Sequence, residues 1–258
     1  METMLSIWAH PDDETFLAAG TMAAAVDRGD RVVCVSATAG ERGTPDPEAW
    51  PPARLGALRR RESAAAMAVL GVTEHRILDY PDGELAAFDH EEGVAAMVAL
   101  ITEVAPDSIV TFGPDGTTFH PDHITVHRWV TAAWERLQRP ARLLYSASTA
   151  EHLARFADLY EEWGVYMTDE RPVGVRPDEV ALQVVLEGAA LDRKLAALAA
   201  MESQTRDVMA TLDPDVFAAD IAEESFIDAV SNAAAEAPGG AGVPNRVFSP
   251  ERRVPVGS

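Results

Sequence analysis

The stretch Met4-Leu5-Ser6-Ile7-Trp8-Ala9-His10-Pro11-Asp12-Asp13-Glu14 joins an apolar run to a histidine and a cluster of carboxylates. The apolar run, Met4–Ala9, predicts a short buried strand. Pro11 suits the first position of a helix, because an N–H at that position would have no partner within the helix. We expect this helix to continue to about Arg28 and to end at Gly29, a residue that favours helix C-termini. The segment therefore predicts a strand that passes directly into a helix, with polar side chains at the junction.

The alternation of strands and helices continues through the first part of the chain. Further strands are predicted at Arg31–Ser36, His75–Tyr80, Ser108–Phe112 and Leu143–Ser148, and further helices at Ala57–Leu70, Glu91–Val104 and Pro121–Leu137. Strands that alternate with helices are typical of the α/β class. We predict a Rossmann-like, open and mostly parallel sheet with helices on both faces.

We predict a single domain over residues 1–258, because no linker divides the chain in the middle. A Rossmann-like core would occupy about 1–148, and a C-terminal elaboration about 149–232. The predicted elements of this elaboration are helices at Glu151–Glu162 and Leu191–Ser203 and a strand at Val180–Leu186. Residues of about 233–258 are rich in small residues and predict a flexible tail, or a loop that closes over the site. The Gly- and Pro-rich loop Thr38–Leu55 is the other candidate gate.

Asp and Glu total 42 against 21 for Lys and Arg, which gives a formal net charge of −21. A field of that sign repels nucleic acid and anionic membranes, so we expect neither as a partner. The single cysteine, Cys34, excludes an internal disulfide framework and predicts a buried, unreactive thiol. No apolar run has the length of a membrane span, and Met1–Ala9 lacks the basic region of a signal peptide. We therefore expect a cytoplasmic protein without membrane insertion.

The first polar cluster contains His10, Asp12, Asp13 and Glu14. A histidine at the end of a strand and Asp13, three residues later, can converge because the helix turns between them. Asp12 lies in the same first turn, where the positive end of the helix dipole favours ionised carboxylates. Glu14 is either a third ligand or a partner of the helix dipole. Helix capping is the alternative explanation of such an acidic cluster.

The second cluster repeats this pattern after the fourth predicted strand, with His120, Asp122 and His123 around Pro121. Ligands of open α/β sheets bind at the carboxyl ends of the strands, so both clusters face the same edge of the sheet. Together they can supply two imidazoles and a carboxylate to a divalent metal ion, with a second carboxylate beside it as a base. His127, four residues after His123, is either a secondary ligand or a supporting residue. The two clusters together predict metal-assisted hydrolysis.

Ala9-His10-Pro11-Asp12-Asp13-Glu14 and His120-Pro121-Asp122-His123 together resemble the LmbE-like, or PIG-L, family of metal-dependent deacetylases. This family includes the N-acetylglucosaminyl-phosphatidylinositol de-N-acetylases and the deacetylase and conjugate amidase of mycothiol metabolism. The similarity covers nearly the whole chain as far as about Phe226. Further matching segments are Thr38-Ala39-Gly40-Glu41, Arg59 with Glu62, Leu70-Gly71, Tyr80-Pro81-Asp82-Gly83 and Lys194 through Gln204.

The resemblance implies that His10, Asp13 and His123 hold a Zn²⁺ ion, and the same ligand set also accepts Fe²⁺. Two imidazoles and a carboxylate leave open positions on the ion for water and for the substrate carbonyl. The resemblance also implies that Asp12 is the general base that activates the attacking water.

Four further roles follow from the resemblance. His120 is expected to stabilise the oxyanion or to protonate the leaving amine, and Asp122 is expected to orient a histidine. Arg59 and Glu41 are expected at the substrate end of the pocket.

The function implied by the resemblance is zinc-dependent removal of an N-acetyl or N-acyl group from an amino sugar or its conjugate. The expected partner is therefore a small N-acetylated molecule, and a homo-oligomer is left open. The chain departs from the mycothiol-pathway deacetylases at Thr118, where those proteins carry a Tyr that assists at the oxyanion. Relatives often carry His at the position of Met201.

Two alternatives to this function are open. The same metal site could cleave a larger amide, such as a thiol conjugate or an antibiotic-type amide. A non-catalytic nucleotide-binding module would also fit the fold. However, the first strand–helix turn contains no Gly-x-Gly-x-x-Gly, and its carboxylates would repel a pyrophosphate.

Overall fold

The structure is a computed structural model that describes residues 1–229, so the predicted tail at about 233–258 lies outside the described residues. Within residues 1–229 the strands form one seven-stranded sheet. The strands are β1 (Thr3–Trp8), β2 (Arg31–Thr38), β3 (Glu74–Tyr80), β4 (Ser108–Phe112), β5 (Arg142–Ser146), β6 (Leu182–Val185) and β7 (Glu223–Asp228). Their spatial order is β3-β2-β1-β4-β5-β7-β6.

Helices connect these strands and cover the sheet. They are α1 (Asp13–Leu17), α2 (Ala19–Asp27), α3 (Pro52–Leu70), α4 (His90–Val104), α5 (Pro121–Arg136), α6 (Ala150–Trp163), α7 (Gly188–Ala199), α8 (Glu202–Thr211) and α9 (Pro214–Ile221). One group of helices, α2, α3 and α7, packs together, and α4 packs against α5. Right-handed crossovers place these two groups on opposite faces of the sheet. Among residues 1–229, no helix is long and apolar enough to cross a bilayer.

The first five strands are parallel, whereas β6 and β7 run antiparallel at one side of the sheet. This arrangement confirms the predicted α/β class with an open, mostly parallel sheet. From β1 the chain moves outward to β3, and it then returns to place β4 directly beside β1. The pair β1 and β4 is therefore the point where the strand order reverses, and ligands of such folds bind in the crevice at this point.

The core lies on both faces of the central strands. The run Val32-Val33-Cys34-Val35 in β2 is buried throughout, as expected for a parallel strand covered by helices on each side. Trp8 of β1 stacks edge-on against Phe112 of β4, with ring centroids 4.9 Å apart.

Cys34 is fully buried, and burial raises the pKa of its thiol well above the usual value. A thiol in this environment is unreactive.

The helix predicted from Pro11 to Arg28 is divided in two at Ala18, whose φ of −147° is not helical. The physical reason is a buried carboxylate that arrives from β7. Glu224 accepts hydrogen bonds from the backbone N–H groups of Gly20 and Thr21, both at 2.8 Å. It therefore satisfies donors at the beginning of α2, which a continuous helix would have paired internally.

The sequence pattern did not predict β7, α8 or α9. The strand β7 pairs antiparallel with both β5 and β6, so its partners are far from it in the sequence. The predicted division of the chain into a core and an elaboration stays a prediction.

Gly93 of α4 gives a direct test of the packing between α4 and α5. A Cβ at this position would lie 2.0 Å from the ring of Trp129, which is buried on α5. We expect Gly93→Ala to lower the free energy of unfolding by about 1–3 kcal/mol, because a packed interior cannot absorb the extra methyl group. Denaturant unfolding measures the effect, with the exposed Ala95→Ser as the matched control. Equal stability of the two variants would contradict this close packing.

His75 of β3 predicts a pH dependence of stability. Burial lowers the pKa of its imidazole from 6.5 to about 4. Between these values the unfolded chain binds more protons than the folded chain, so the free energy of unfolding rises with pH across this window. The contribution of His75 is complete above pH 6.5 and is lost as the pH falls toward 4.

We therefore expect the difference in unfolding free energy between wild type and His75→Gln to shrink by up to about 3 kcal/mol from pH 7 to pH 4. Other titrating groups cancel in this difference. A difference that is constant over the range would refute the prediction.

Candidate active site

Three turns at the carboxyl edge of the sheet supply the polar groups of the candidate site. The first follows β1 and contains His10, Asp12 and Asp13; the second follows β3 and contains Asp82; the third follows β4 and leads into α5. Because β1 and β4 are neighbours, the first and third turns meet at the crevice between them. The structure thus brings both predicted clusters together.

Three side chains form a closely spaced triangle of potential metal donors. The Nδ1 atom of His10 lies 3.2 Å from Nε2 of His123 and 3.5 Å from Oδ2 of Asp13. Nε2 of His123 lies 3.2 Å from the other oxygen of the Asp13 carboxylate, Oδ1. Ligand atoms about 2.0–2.1 Å from a tetrahedral ion lie about 3.3 Å from one another. The three residues therefore have a spacing that fits one divalent ion.

The nitrogen atoms on the far side of both imidazoles are also bonded. Nε2 of His10 lies 3.1 Å from Asp82 and 3.3 Å from Asp122, and Nδ1 of His123 lies 2.9 Å from the carbonyl oxygen of Gly116. Partners of this kind fix the ring orientation and the tautomer of a metal-binding histidine. Because these partners occupy the outer nitrogens, Nδ1 of His10 and Nε2 of His123 are directed at Asp13.

Asp82 is a site residue to which the sequence analysis gave no role. It follows β3 as His10 follows β1, and this position at a strand end was the available signal. The backbone N–H of Arg42 donates to its carboxylate at 2.7 Å, and Glu41 accepts a hydrogen bond from its N–H at 2.9 Å. Asp122 is held in the same way, by the N–H groups of Gly83 and Leu85.

Asp12 lies beside the triangle and has an unusual backbone conformation, with φ of 130°. Side chains disfavour this region, and such strain is found most often at functional sites. Its Oδ2 is 3.1 Å from the guanidinium of Arg59. Burial raises the pKa of Asp12 to about 6, and the charge of Arg59 opposes that rise. The side chain of Asp12 is 19% exposed, against 10% for Asp13, and its carboxylate is not part of the triangle.

The pKa shifts of His123 and Asp13 favour the protonation states that metal binding needs. Burial lowers the pKa of His123 to about 4, so its ring is neutral at pH 7. Burial alone would raise the pKa of Asp13, but its interactions with His123 and His10 lower that pKa and keep the carboxylate ionised. Burial lowers the pKa of His10, but its three carboxylate neighbours raise it well above 6.5. These carboxylates create a strong preference for positive charge at this position.

His120 lies at the edge of the triangle, with its ring centroid 4.8 Å from those of His10 and His123. Its Nδ1 accepts a hydrogen bond from the backbone N–H of Asp122 at 3.1 Å. Two further sets of donor atoms also lie within 4.8 Å of one another: His10, His120 and His123, and His10, Asp82 and Asp122.

Glu14 and His127 belong to the interior of the protein. Glu14 is fully buried, and its carboxyl group accepts hydrogen bonds from the N–H of Asp12 and the hydroxyl of Thr15. Burial raises the pKa of Glu14 to about 8. His127 bonds to the carbonyl oxygen of Phe112 at 2.9 Å and packs against Tyr145. Both residues therefore support the elements that carry the site.

Arg59 and Met201 lie behind the first turn. Arg59 is buried and donates to the carbonyl oxygens of Gly40 and Pro11 as well as pairing with Asp12. Met201 is also buried, and its sulfur lies 3.3 Å from the hydroxyl of Thr15. Arg59 thereby holds the turn in place. The substrate roles predicted for Arg59 and Glu41 stay predictions.

A cavity of about 380 Å³ opens beside Asp13 and His123. Thr117 and Thr118 form part of its wall, and the Thr118 hydroxyl lies 3.3 Å from Nδ1 of His123. Thr117 has a φ of 67°, which is rare for a β-branched residue. The remainder of the wall comes mainly from the C-terminal helices and from β7.

Comparison with known proteins places this site in a family. The model of the PIG-L family, described as GlcNAc-PI de-N-acetylase, matches residues 5–134, which contain both polar clusters. A protein of Saccharomonospora viridis is 35% identical over 242 residues, which cover 83% of this chain and 88% of that protein. It is named 1D-myo-inositol 2-acetamido-2-deoxy-alpha-D-glucopyranoside deacetylase. The chain belongs to the PIG-L family, and the resemblance inferred from its motifs is confirmed.

Solved structures share the fold at low sequence identity. The N,N'-diacetylchitobiose deacetylase of Pyrococcus horikoshii superposes with a TM-score of 0.61 at 23% identity, over 88% of this chain and 83% of that one. A structure described as the zinc inhibited form of teicoplanin deacetylase Orf2 gives a TM-score of 0.60 at 16% identity, over 83% of this chain and 89% of that one. These two comparisons support the fold.

Proposed function

We propose that this protein is a metal-dependent hydrolase that removes an N-acetyl or N-acyl group from an amino sugar or its conjugate. One observation carries the proposal: Asp12, a carboxylate outside the donor triangle, lies directly beside the triangle of His10, Asp13 and His123. Ligands and a separate base are the two components that metal-assisted hydrolysis requires. The deacetylase activity named for the Saccharomonospora viridis relative supports the same reaction.

In this proposal His10, Asp13 and His123 hold the ion, which is Zn²⁺ or Fe²⁺. A bound divalent ion polarises the amide carbonyl and makes a water molecule more acidic. Asp13 contributes a charged oxygen, and the two histidines contribute neutral nitrogens whose orientation Asp82, Asp122 and the backbone fix. The donor set and its outer partners fit the requirements of such a site.

Asp12 accepts the proton of the attacking water in this proposal. Arg59 pairs with one of its oxygens and holds the carboxylate in a fixed position, so little reorganisation is needed during the reaction. His120 stabilises the oxyanion in this proposal, and Asp12 returns the proton that it took from water to the leaving amine. The Nδ1 of His120 accepts the hydrogen bond from the Asp122 N–H, so a neutral ring carries its proton on Nε2, which can donate a hydrogen bond to the oxyanion.

The partner in this proposal is a small N-acylated sugar or conjugate, and the net charge of −21 disfavours nucleic acid. Cleavage of a larger amide at the same site is the second candidate, because the cavity beside Asp13 exceeds the needs of an acetyl group. Cytoplasmic location and a homo-oligomeric state stay predictions.

The metal content of purified variants tests the proposed ligands. We expect about one divalent ion per wild-type chain and loss of the ion in His10→Ala, Asp13→Ala and His123→Ala. His127→Gln is the matched control, since His127 is bonded to the backbone of β4, and it should retain the ion. Elemental analysis after chelation and reloading with Zn²⁺ or Fe²⁺ measures occupancy. Wild-type protein that takes up neither ion would refute the proposal.

The role of Asp12 predicts a variant that binds metal but turns over slowly. Asp12→Asn should lower kcat by roughly 10²–10⁴-fold, because it removes a general base, and should leave the metal content unchanged. Release of acetate from N-acetylglucosamine conjugates measures the rate. Asp79→Asn is the control, because this exposed carboxylate pairs with Arg60 away from the site. If Asp12→Asn had the same kcat as the wild-type protein, Asp12 would be excluded as the base.

A further inference from the structure

The cavity beside Asp13 and His123 has a composition that the deacetylation chemistry does not explain. It extends from the candidate ligands between α1, α6 and α9. Its wall is mostly apolar, and its large apolar or aromatic residues include Phe16, Leu153, Trp163, Val208, Leu212 and Phe217. Pockets lined in this way bind apolar groups, because water leaves their surfaces on binding.

A hydrogen-bonded cluster of three polar side chains lies in this wall. Nε2 of His152 lies 2.9 Å from the hydroxyl of Tyr160 and 3.2 Å from Oδ1 of Asp220, and the Tyr160 hydroxyl donates to the same oxygen at 2.6 Å. Both bonds end on one oxygen of Asp220, so the second oxygen of the carboxylate is available as an acceptor. The side chains of His152 and Asp220 are 11% and 18% exposed, which leaves them accessible from the cavity they line.

The charge of the cavity wall is negative. Asp220 and Glu223 contribute carboxylates, and among residues 1–229 no Lys or Arg side chain lines this cavity. Away from the ion proposed at Asp13 and His123, a phosphate or carboxylate would therefore find no cation along this wall and would meet like charge. A hydroxyl or an ammonium group could donate to Asp220 instead.

We propose that this cavity binds an apolar substituent of the substrate that ends in a hydrogen-bond donor, a hydroxyl or an ammonium group, and that it rejects anionic substituents. This inference rests on the proposed function, because the substituent is attached to the sugar whose amide is cleaved. It assigns the protein a substrate class different from the inositol conjugate named for its relative. An inositol ring carries polar groups on all sides, whereas most of this wall offers it no partners.

Two parts of a substrate could supply such a substituent. One is the group linked to the anomeric carbon of the sugar, and the other is the acyl chain of the amide. Both place an apolar chain within reach of a cavity that begins at Asp13 and His123.

The first experiment compares kcat/KM in two substrate series. One series is N-acetylglucosamine linked to methyl, hexyl, 6-hydroxyhexyl, 6-aminohexyl, 5-carboxypentyl or inositol groups. The other is glucosamine acylated with acetyl, hexanoyl, 6-hydroxyhexanoyl, 6-aminohexanoyl or adipoyl groups. We expect the amino and hydroxy chains of one series to exceed the methyl or acetyl compound by about tenfold or more. The carboxylated chain of that series should fall about tenfold below the amino chain.

The series that shows this order identifies the source of the substituent. Hydrolysis in which the inositol conjugate is the best substrate, or in which the carboxylated chains match the amino chains, would overturn the inference and leave the proposed function intact. The absence of hydrolysis in both series would remove the proposed function itself.

Two variants locate the effect in the cavity. Leu212→Ser should reduce the preference for the longer chain through KM, and Asp220→Asn should abolish the preference for the amino chain over the carboxylated chain. Val216→Ser is the matched control, because Val216 is exposed on the same helix as Asp220. A Val216→Ser variant that behaves like the cavity variants would contradict the assignment.

A binding measurement keeps the inference testable without turnover. By calorimetry, wild-type protein should bind hexylammonium about tenfold more tightly than hexanoate. The Asp220→Asn variant should bind the two ions with equal affinity. Equal affinity of wild-type protein for the two ions would overturn the inference.

Discussion

The reversal of strand order between β1 and β4 is the constraint on which the site depends. Because the two strands are neighbours whose following helices lie on opposite faces, the turns that follow them face each other across a crevice. His10 and His123 are separated by 113 positions in the chain, yet their facing nitrogens are 3.2 Å apart. The turn after β3, two strands away from β1, adds Asp82 at the same edge. Local structure therefore places each side chain at a strand end, and the sheet order alone brings them together.

Burying so many carboxylates is costly unless each is compensated, and the fold provides a partner for each of them. Asp122 receives two backbone N–H groups, and Asp12 receives Arg59. The same principle governs Glu224, which is fully buried, caps α2 and pairs with the only lysine, Lys194, at 2.8 Å. Lys194 also donates to the carbonyl oxygen of Phe16, at the end of α1. The strand β7 is thus tied through Lys194 to the helix that carries Asp13.

The sequence was sufficient to predict the parts of the structure that depend on local patterns. Alternating strands and helices predicted the sheet class, and two His-Pro-Asp segments at strand ends predicted which residues would meet. It was insufficient where a distant group decides the conformation, as when Glu224 divides the first helix at Ala18. Asp82 had the right position but no neighbouring histidine to mark it. The cavity was not foreseen, because its wall combines residues from elements distant in the chain whose packing no local pattern encodes.

Chemistry and cavity are built from different parts of the chain. The polar clusters lie within residues 5–134, the part that the family has in common, whereas most of the cavity wall comes from residues 146–225, which include α6, α8, α9 and β7. Substitutions in the second group can reshape the cavity without changing the polar clusters. Such a division makes the molecule evolvable: a lineage can acquire new substrates through its C-terminal helices while selection keeps the reaction constant. Divergence among members of this family should accordingly be concentrated in those helices.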